Sequence, residues 1–88
     1  MEEFLELLGI EGEYVIADDG CLVMDINNED EYNKISSRLD KSELIEEDED
    51  SSILTYESES IQYVNDEFTI TIMADFDAGT YKLSMREN

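Results

Sequence analysis

The residues in this chain whose types and spacing could do chemistry are carboxylates. Five stand in a row, Glu46, Glu47, Asp48, Glu49 and Asp50, with Glu43 just ahead of them. Others come in close pairs: Glu57 and Glu59, Asp66 and Glu67, Asp75 and Asp77. Carboxylates can hold hard cations, exchange protons with a substrate, or present negative charge to a partner. For a calcium loop the best window starts at Asp25, with Asp25, Asn27 and Glu29 in the first three ligand places. Its sixth place is Asp30, where the sharp turn needs glycine, and its twelfth is Ser36, where a bidentate Glu belongs. No metal or cofactor is assigned on that basis. Acid–base pairs of the glycosidase kind are available by residue type. A chain of 88 residues leaves little room for a substrate cleft, and no cationic or metal group is placed to stabilise an oxyanion. With no histidine and the single cysteine Cys21, zinc sites, Cys–His pairs and Ser–His–Asp catalysis are excluded. The expectation is a non-enzymatic protein with no catalytic residue.

Presentation of charge is what remains. Asp and Glu number 25 against 5 Lys and Arg, a formal charge of −20. Solubility of a small domain asks for a magnitude of only about 2–8, so the excess points to a basic partner. Carboxylates two residues apart on an extended strand point the same way, about 6.6 Å apart. DNA carries one charge per strand about every 3.4 Å of axis, and because the phosphates wind around that axis, neighbours lie further apart than this. Glu57/Glu59, Asp75/Asp77 and, if extended, Glu46/Asp48/Asp50 thus approximate a phosphate ladder. A basic cleft releases its counterions to such a surface much as it does to DNA. Taken alone, residues 46–50 also read as a solvated, loose acidic loop. An exposed tyrosine among carboxylates is a natural interface anchor, and Tyr56 and Tyr63 flank the Glu57/Glu59 pair. The partner-binding set is therefore Glu43, Glu46, Glu47, Asp48, Glu49, Asp50, Tyr56, Glu57, Glu59, Tyr63, Asp66, Glu67, Asp75 and Asp77. Direct binding of nucleic acid or of an anionic membrane surface is electrostatically disfavoured.

These residues need elements to carry them. Residues 2–8 read as a short helix with acids in its first turns and Gly9 just past its end. Residues 13–17 and 21–26 read as strands around the turn signal Asp18-Asp19-Gly20. Asn27 or Asn28 can cap a second helix over 29–39, on which Tyr32, Ile35 and Leu39 form one buried stripe. Strands follow over 52–57 and 61–64, the latter also compatible with a helical stripe. Alternation over 68–76 and 81–86 predicts a long antiparallel hairpin with one buried face. The expected fold is a single α+β domain over 1–88. It is an antiparallel sheet of about four to five strands with two short helices, in the order roughly α-β-β-α-β-β-β-β. Of the five cations, Lys34, Arg38 and Lys41 lie on or just after the second helix, giving one mixed-charge side.

High net charge is half of the disorder signature. The other half is missing: Leu, Ile, Val and Phe make up about a quarter of the chain, above the ~20% of disordered sequences, and there is no proline. One cysteine cannot form an internal disulfide, and no basic stretch precedes an apolar run as in a signal peptide. A cytoplasmic setting, in a bacterial host cell, is expected.

Extreme acidity, small size, absence of histidine and the α/β pattern together resemble phage-encoded DNA-mimic inhibitors. That class includes anti-CRISPR proteins, anti-restriction proteins and uracil-DNA glycosylase inhibitors. The resemblance rests on whole-chain composition, the 46–50 run and the acidic pairs, and it carries over no functional residue. It implies a non-enzymatic inhibitor that occupies the DNA- or PAM-binding cleft of its target. A CRISPR effector nuclease leads as that target, ahead of a restriction or repair enzyme. The alternative is an immunity protein or antitoxin neutralising a cationic toxin. Monomer and homodimer are both open.

Overall fold

Alternating apolar and polar residues become a sheet of six antiparallel strands here, with every residue from 1 to 88 described in the computed structural model. Along the chain the elements are α1 (Glu2–Leu7), β1 (Tyr14–Ile16), β2 (Leu22–Ile26), α2 (Glu29–Lys41), β3 (Glu46–Leu54), β4 (Ser58–Val64), β5 (Phe68–Asp75) and β6 (Thr80–Glu87). Their spatial order is β1-β2-β6-β5-β4-β3, so β1 and β3 are the two edges. The α+β reading and the element order hold. The sheet is larger than the expected four to five strands, because both the short β1 and the acidic β3 join it.

Local chemistry sets the ends of the elements. Asn28 caps α2, its Oδ1 accepting from the Glu31 N–H at 2.9 Å. Gly9, at φ +74°, follows α1 in the left-handed region that side chains resist. A Cβ there would also meet the guanidinium of Arg38, which packs across it. In the β1–β2 turn the Asp19 carboxylate accepts from the Cys21 N–H at 3.0 Å, which holds Asp19 below the usual carboxylate range. Burial first, then that same carboxylate, raises the Cys21 thiol above its ordinary value and blunts its reactivity.

One sheet face is covered and the other is open. Register places Leu22, Met24 and Ile26 of β2 beside Met85, Leu83 and Tyr81 of β6, and Ile70, Ile72 and Ala74 of β5 beyond them. All nine are buried, and Tyr32, Ile35 and Leu39 of α2, Leu5, Leu8 and Ile10 of the N-terminal segment, Ile45 and Tyr63 complete the core. Tyr32 packs on Tyr81 with ring centroids 5.3 Å apart, and Phe4 on Phe68 at 5.1 Å. Leu7 of α1 points to solvent. The open face is composed differently. Its cross-strand rows run Ile53-Ser60-Met73-Lys82-Asp25 and Asp48-Gln62-Thr71-Ser84-Val23. That face carries Lys82 and Arg86 together with Asp25, Asp48 and Glu46. No helix is long and apolar enough to cross a membrane.

Candidate acidic interface

Residues 46–50, which read either as a solvated loop or as an extended ladder, form the first half of β3. They pair with the far half of β4: Glu46 with Val64, Glu47 with Tyr63, Asp48 with Gln62. Glu46 and Asp48 therefore share the open face, the two-residue spacing the sequence called for. Asp50 departs from the ladder. Register shifts between Asp48 and Ile53, so residues 49–52 lie opposite Ile61 alone. Ser52 closes this bulge: its Oγ donates to the Asp48 carbonyl at 2.9 Å and accepts from the Gln62 N–H at 3.2 Å. Glu49 and Asp50 are thereby pushed outward on the exposed edge. Glu47 takes up its proton above the usual carboxylate range. Desolvation is the main cause, followed by the charges of Glu49 and Asp40.

The remaining acids gather at the two ends of that edge. At one end Asn65 organises the turn, its Oδ1 accepting from Glu67 N–H at 2.8 Å and Phe68 N–H at 2.7 Å. Its Nδ2 donates to the Leu44 carbonyl at 3.0 Å, which draws the Asp66 and Glu67 turn to the segment holding Glu43. At the other end Thr55 braces the β3–β4 turn. Its N–H and Oγ1 both reach the Ser58 carbonyl at 2.9 Å, and the Ser58 N–H returns to Thr55 Oγ1 at 3.1 Å. The Phe76 N–H donates to the Glu57 carbonyl at 2.9 Å, so the β3–β4 and β5–β6 turns sit side by side. The Asp75 carboxylate caps its own turn by accepting from the Ala78 N–H at 3.1 Å. Glu57 and Asp77 lie in turns and not in strands, so neither the 57/59 nor the 75/77 pair is an extended ladder. Turn backbone places Glu57 and Asp77, whereas Glu59 and Asp75 keep strand positions.

The two tyrosines separate. Tyr56 is fully exposed at the tip of the β3–β4 turn. Tyr63, expected as an interface anchor, is 1% exposed and belongs to the core. Its hydroxyl donates to Asp40 Oδ1 at 2.6 Å, tying β4 to α2. Burial, then that bond, raises its pKa beyond the usual tyrosine range. It faces inward because it shares its row with Ile70 and Met85. Glu59 also lies on the covered side, in the row of Ala74 and Tyr81. With burial, its carboxylate pushes the Tyr32 hydroxyl well up, yet it completes no hydrogen bond, and that hydroxyl is left without a partner.

Glu43, the five acids of β3, Asp66, Glu67, Glu57, Asp75 and Asp77 thus border one side of the sheet from turn to turn. Lys34 with Glu31, 3.4 Å apart on α2, is the sole ion pair in the molecule, so none of the border acids is neutralised. No three of the carboxylates converge in a geometry that could hold a metal ion. Sequence reading missed Ile53, Leu54 and Phe76, which are exposed near Tyr56. The Ile53-Leu54 doublet held a usable signal, since adjacent strand residues point to opposite faces. Phe76 prolonged the β5 alternation and read as core; the strand ends at Asp75. Comparison with known protein families, with curated proteins and with solved structures gives no match.

Proposed function

We propose that this protein is a non-enzymatic inhibitor that presents DNA-like negative charge to the basic DNA-binding cleft of a nuclease. A CRISPR effector with its guide is the leading target, entered at its PAM or target-strand groove. The observation that supports this most is the acidic border along β3 and its two flanking turns, which no cation of the chain neutralises. An arginine- and lysine-lined groove gains from releasing its own counterions to such a border as it does to phosphates. Long-range attraction makes the encounter fast and salt-sensitive. Inhibition is by occupancy: while the border sits in the groove, DNA is shut out. On this reading the protein works in the cytoplasm of a bacterial cell.

A competition assay tests it. Labelled duplex carrying a PAM is bound to a CRISPR effector–guide complex, and the protein is titrated in at low and moderate salt. Release of the duplex, weaker at higher salt, is the expected result. If the duplex stays bound on effectors and on restriction and repair nucleases alike, the mimic reading fails.

A further inference from the structure

Charge explains steering, but the end of the border where the β3–β4 and β5–β6 turns meet carries more than charge. Ile53 and Leu54, adjacent on β3, point to opposite faces, but Tyr56, wholly in solvent, and Phe76, partly so, are brought into neighbouring turns by the Phe76–Glu57 backbone bond. Single exposed apolar side chains are ordinary on any surface, whereas apolar groups gathered at one place and rimmed by polar residues mark contact sites. The scaffold beneath is pre-set: Thr55 and Ser58 lock the first turn, Asp75 locks the second, and the Phe76–Glu57 backbone bond joins them. Little ordering remains to be done on binding, and such sites lose less affinity to entropy. Glu57 follows Tyr56 in the chain, Asp75 and Asp77 flank Phe76, and none of the three is in an ion pair.

Resting on the proposed engagement of a basic protein surface, we propose that this tip is an arginine-reading anchor. Partner guanidinium groups stack on Tyr56 and Phe76 while pairing with Glu57, Asp75 or Asp77. The chemistry selects arginine over lysine. A planar, weakly hydrated guanidinium can lie on a ring and still present its edge to a carboxylate; a compact, strongly hydrated ammonium cannot do both as well. Labour is then divided along the border: the acids of β3 attract any cation, and the tip holds arginine-bearing surfaces.

The test uses oligoarginine and oligolysine peptides of equal length, titrated into the intact protein at moderate salt by calorimetry. NMR follows the Tyr56 ring. Wild type is expected to favour oligoarginine, with the Tyr56 ring resonances moving for that peptide only. In the Tyr56→Ala/Phe76→Leu double variant, circular dichroism should be unchanged. Its arginine-over-lysine ratio should shrink by about two- to fivefold, the worth of an exposed cation–π contact, with oligolysine affinity intact. An unchanged ratio, or an equal loss for both peptides, overturns the arginine assignment. That failure is separable from failure of the mimic reading: DNA displacement can survive loss of the tip, and arginine preference can persist in a protein that displaces no DNA.

Discussion

At one edge of the sheet lies β1, three residues long, with Val15 66% and Ile16 52% exposed. At the other lies β3, nine residues long, carrying five consecutive acids and a bulge. Both edges present unpaired backbone groups that could template a second chain. The short edge offers too few ladder positions for that to matter, so apolar side chains are tolerated. The long edge would be a hazard if apolar, and β3 carries two remedies for it, charge and a bulge that breaks the ladder. The difference teaches that acids on β3 have a duty before any partner is considered. Charge beyond that duty is the informative part: Glu57, Asp66, Glu67, Asp75 and Asp77 sit in turns or at strand ends, where no edge needs guarding.

Two replacement sets at residues 46–50 separate guarding from binding. Substituting all five acids by Lys keeps the edge charged, since lysine also blunts edges. Net charge moves from −20 to −10 because each change adds two units. That variant is expected to stay monodisperse in light scattering and to bind an oligolysine peptide at least about tenfold more weakly at low salt. Substituting the five by Thr removes both functions, and this variant should associate through β3 as well as bind weakly. A Lys variant that aggregates, or a Thr variant that does not, dissolves the distinction between the two edges.

The contrast between edges also marks what a sequence can disclose. Where burial decided the outcome, period-2 alternation in β2, β5 and β6 and the Tyr32-Ile35-Leu39 stripe identified the elements and their inward faces. Residues 46–50 carry no apolar alternation, so nothing local marks them as a strand; their pairing with β4 fixes it. Tyr63 looked like an anchor because Glu57 and Glu59 are close in sequence, yet its neighbours across the sheet, not along the chain, decide its burial. The acidic border itself was legible as composition. Its continuity was not, because Asn65 and the Glu57–Phe76 contact assemble it from distant segments.

How firmly each edge is held to the helices can be measured next. Tyr63→Phe deletes the 2.6 Å bond to Asp40 that fastens β4, and with it β3, to α2. The expected loss is about 1–2 kcal/mol, or roughly 5–10 °C in melting temperature. Because its folded pKa is raised, Tyr63 contributes its full stability below the ordinary tyrosine value of about 10. That contribution is lost as pH climbs from there toward the folded pKa, so the gap between wild type and variant should narrow in alkaline melts. Tyr14 near the other edge is raised chiefly by the Glu2 carboxylate and lies nearer solvent, so Tyr14→Phe should cost less. Within β3, Ser52→Ala removes the clip across the bulge at a cost of about 1 kcal/mol. Hydrogen exchange should report it as faster opening at the Gln62 amide, with β1 and β2 unchanged.

The smallest effect probes the strain that guarding imposes. The proton affinity of Glu47 is raised, by desolvation first and then by Glu49 and Asp40. A raised folded pKa means the fold binds this proton more tightly than the unfolded chain does. The resulting stability is fully present below the unfolded value and disappears as pH rises through the folded one. At neutral pH the fold therefore carries the cost of a charged Glu47 without relief. Glu47→Gln should raise the melting temperature slightly at pH 7, and the gain should vanish on acidification into the carboxylate range. Glu13→Gln, just ahead of β1, removes the same unit of net charge and is the control. Equal gains from both would mean that only the total of −20 opposes folding; a larger gain at Glu47 locates the opposition at the long edge, where acids are packed closest.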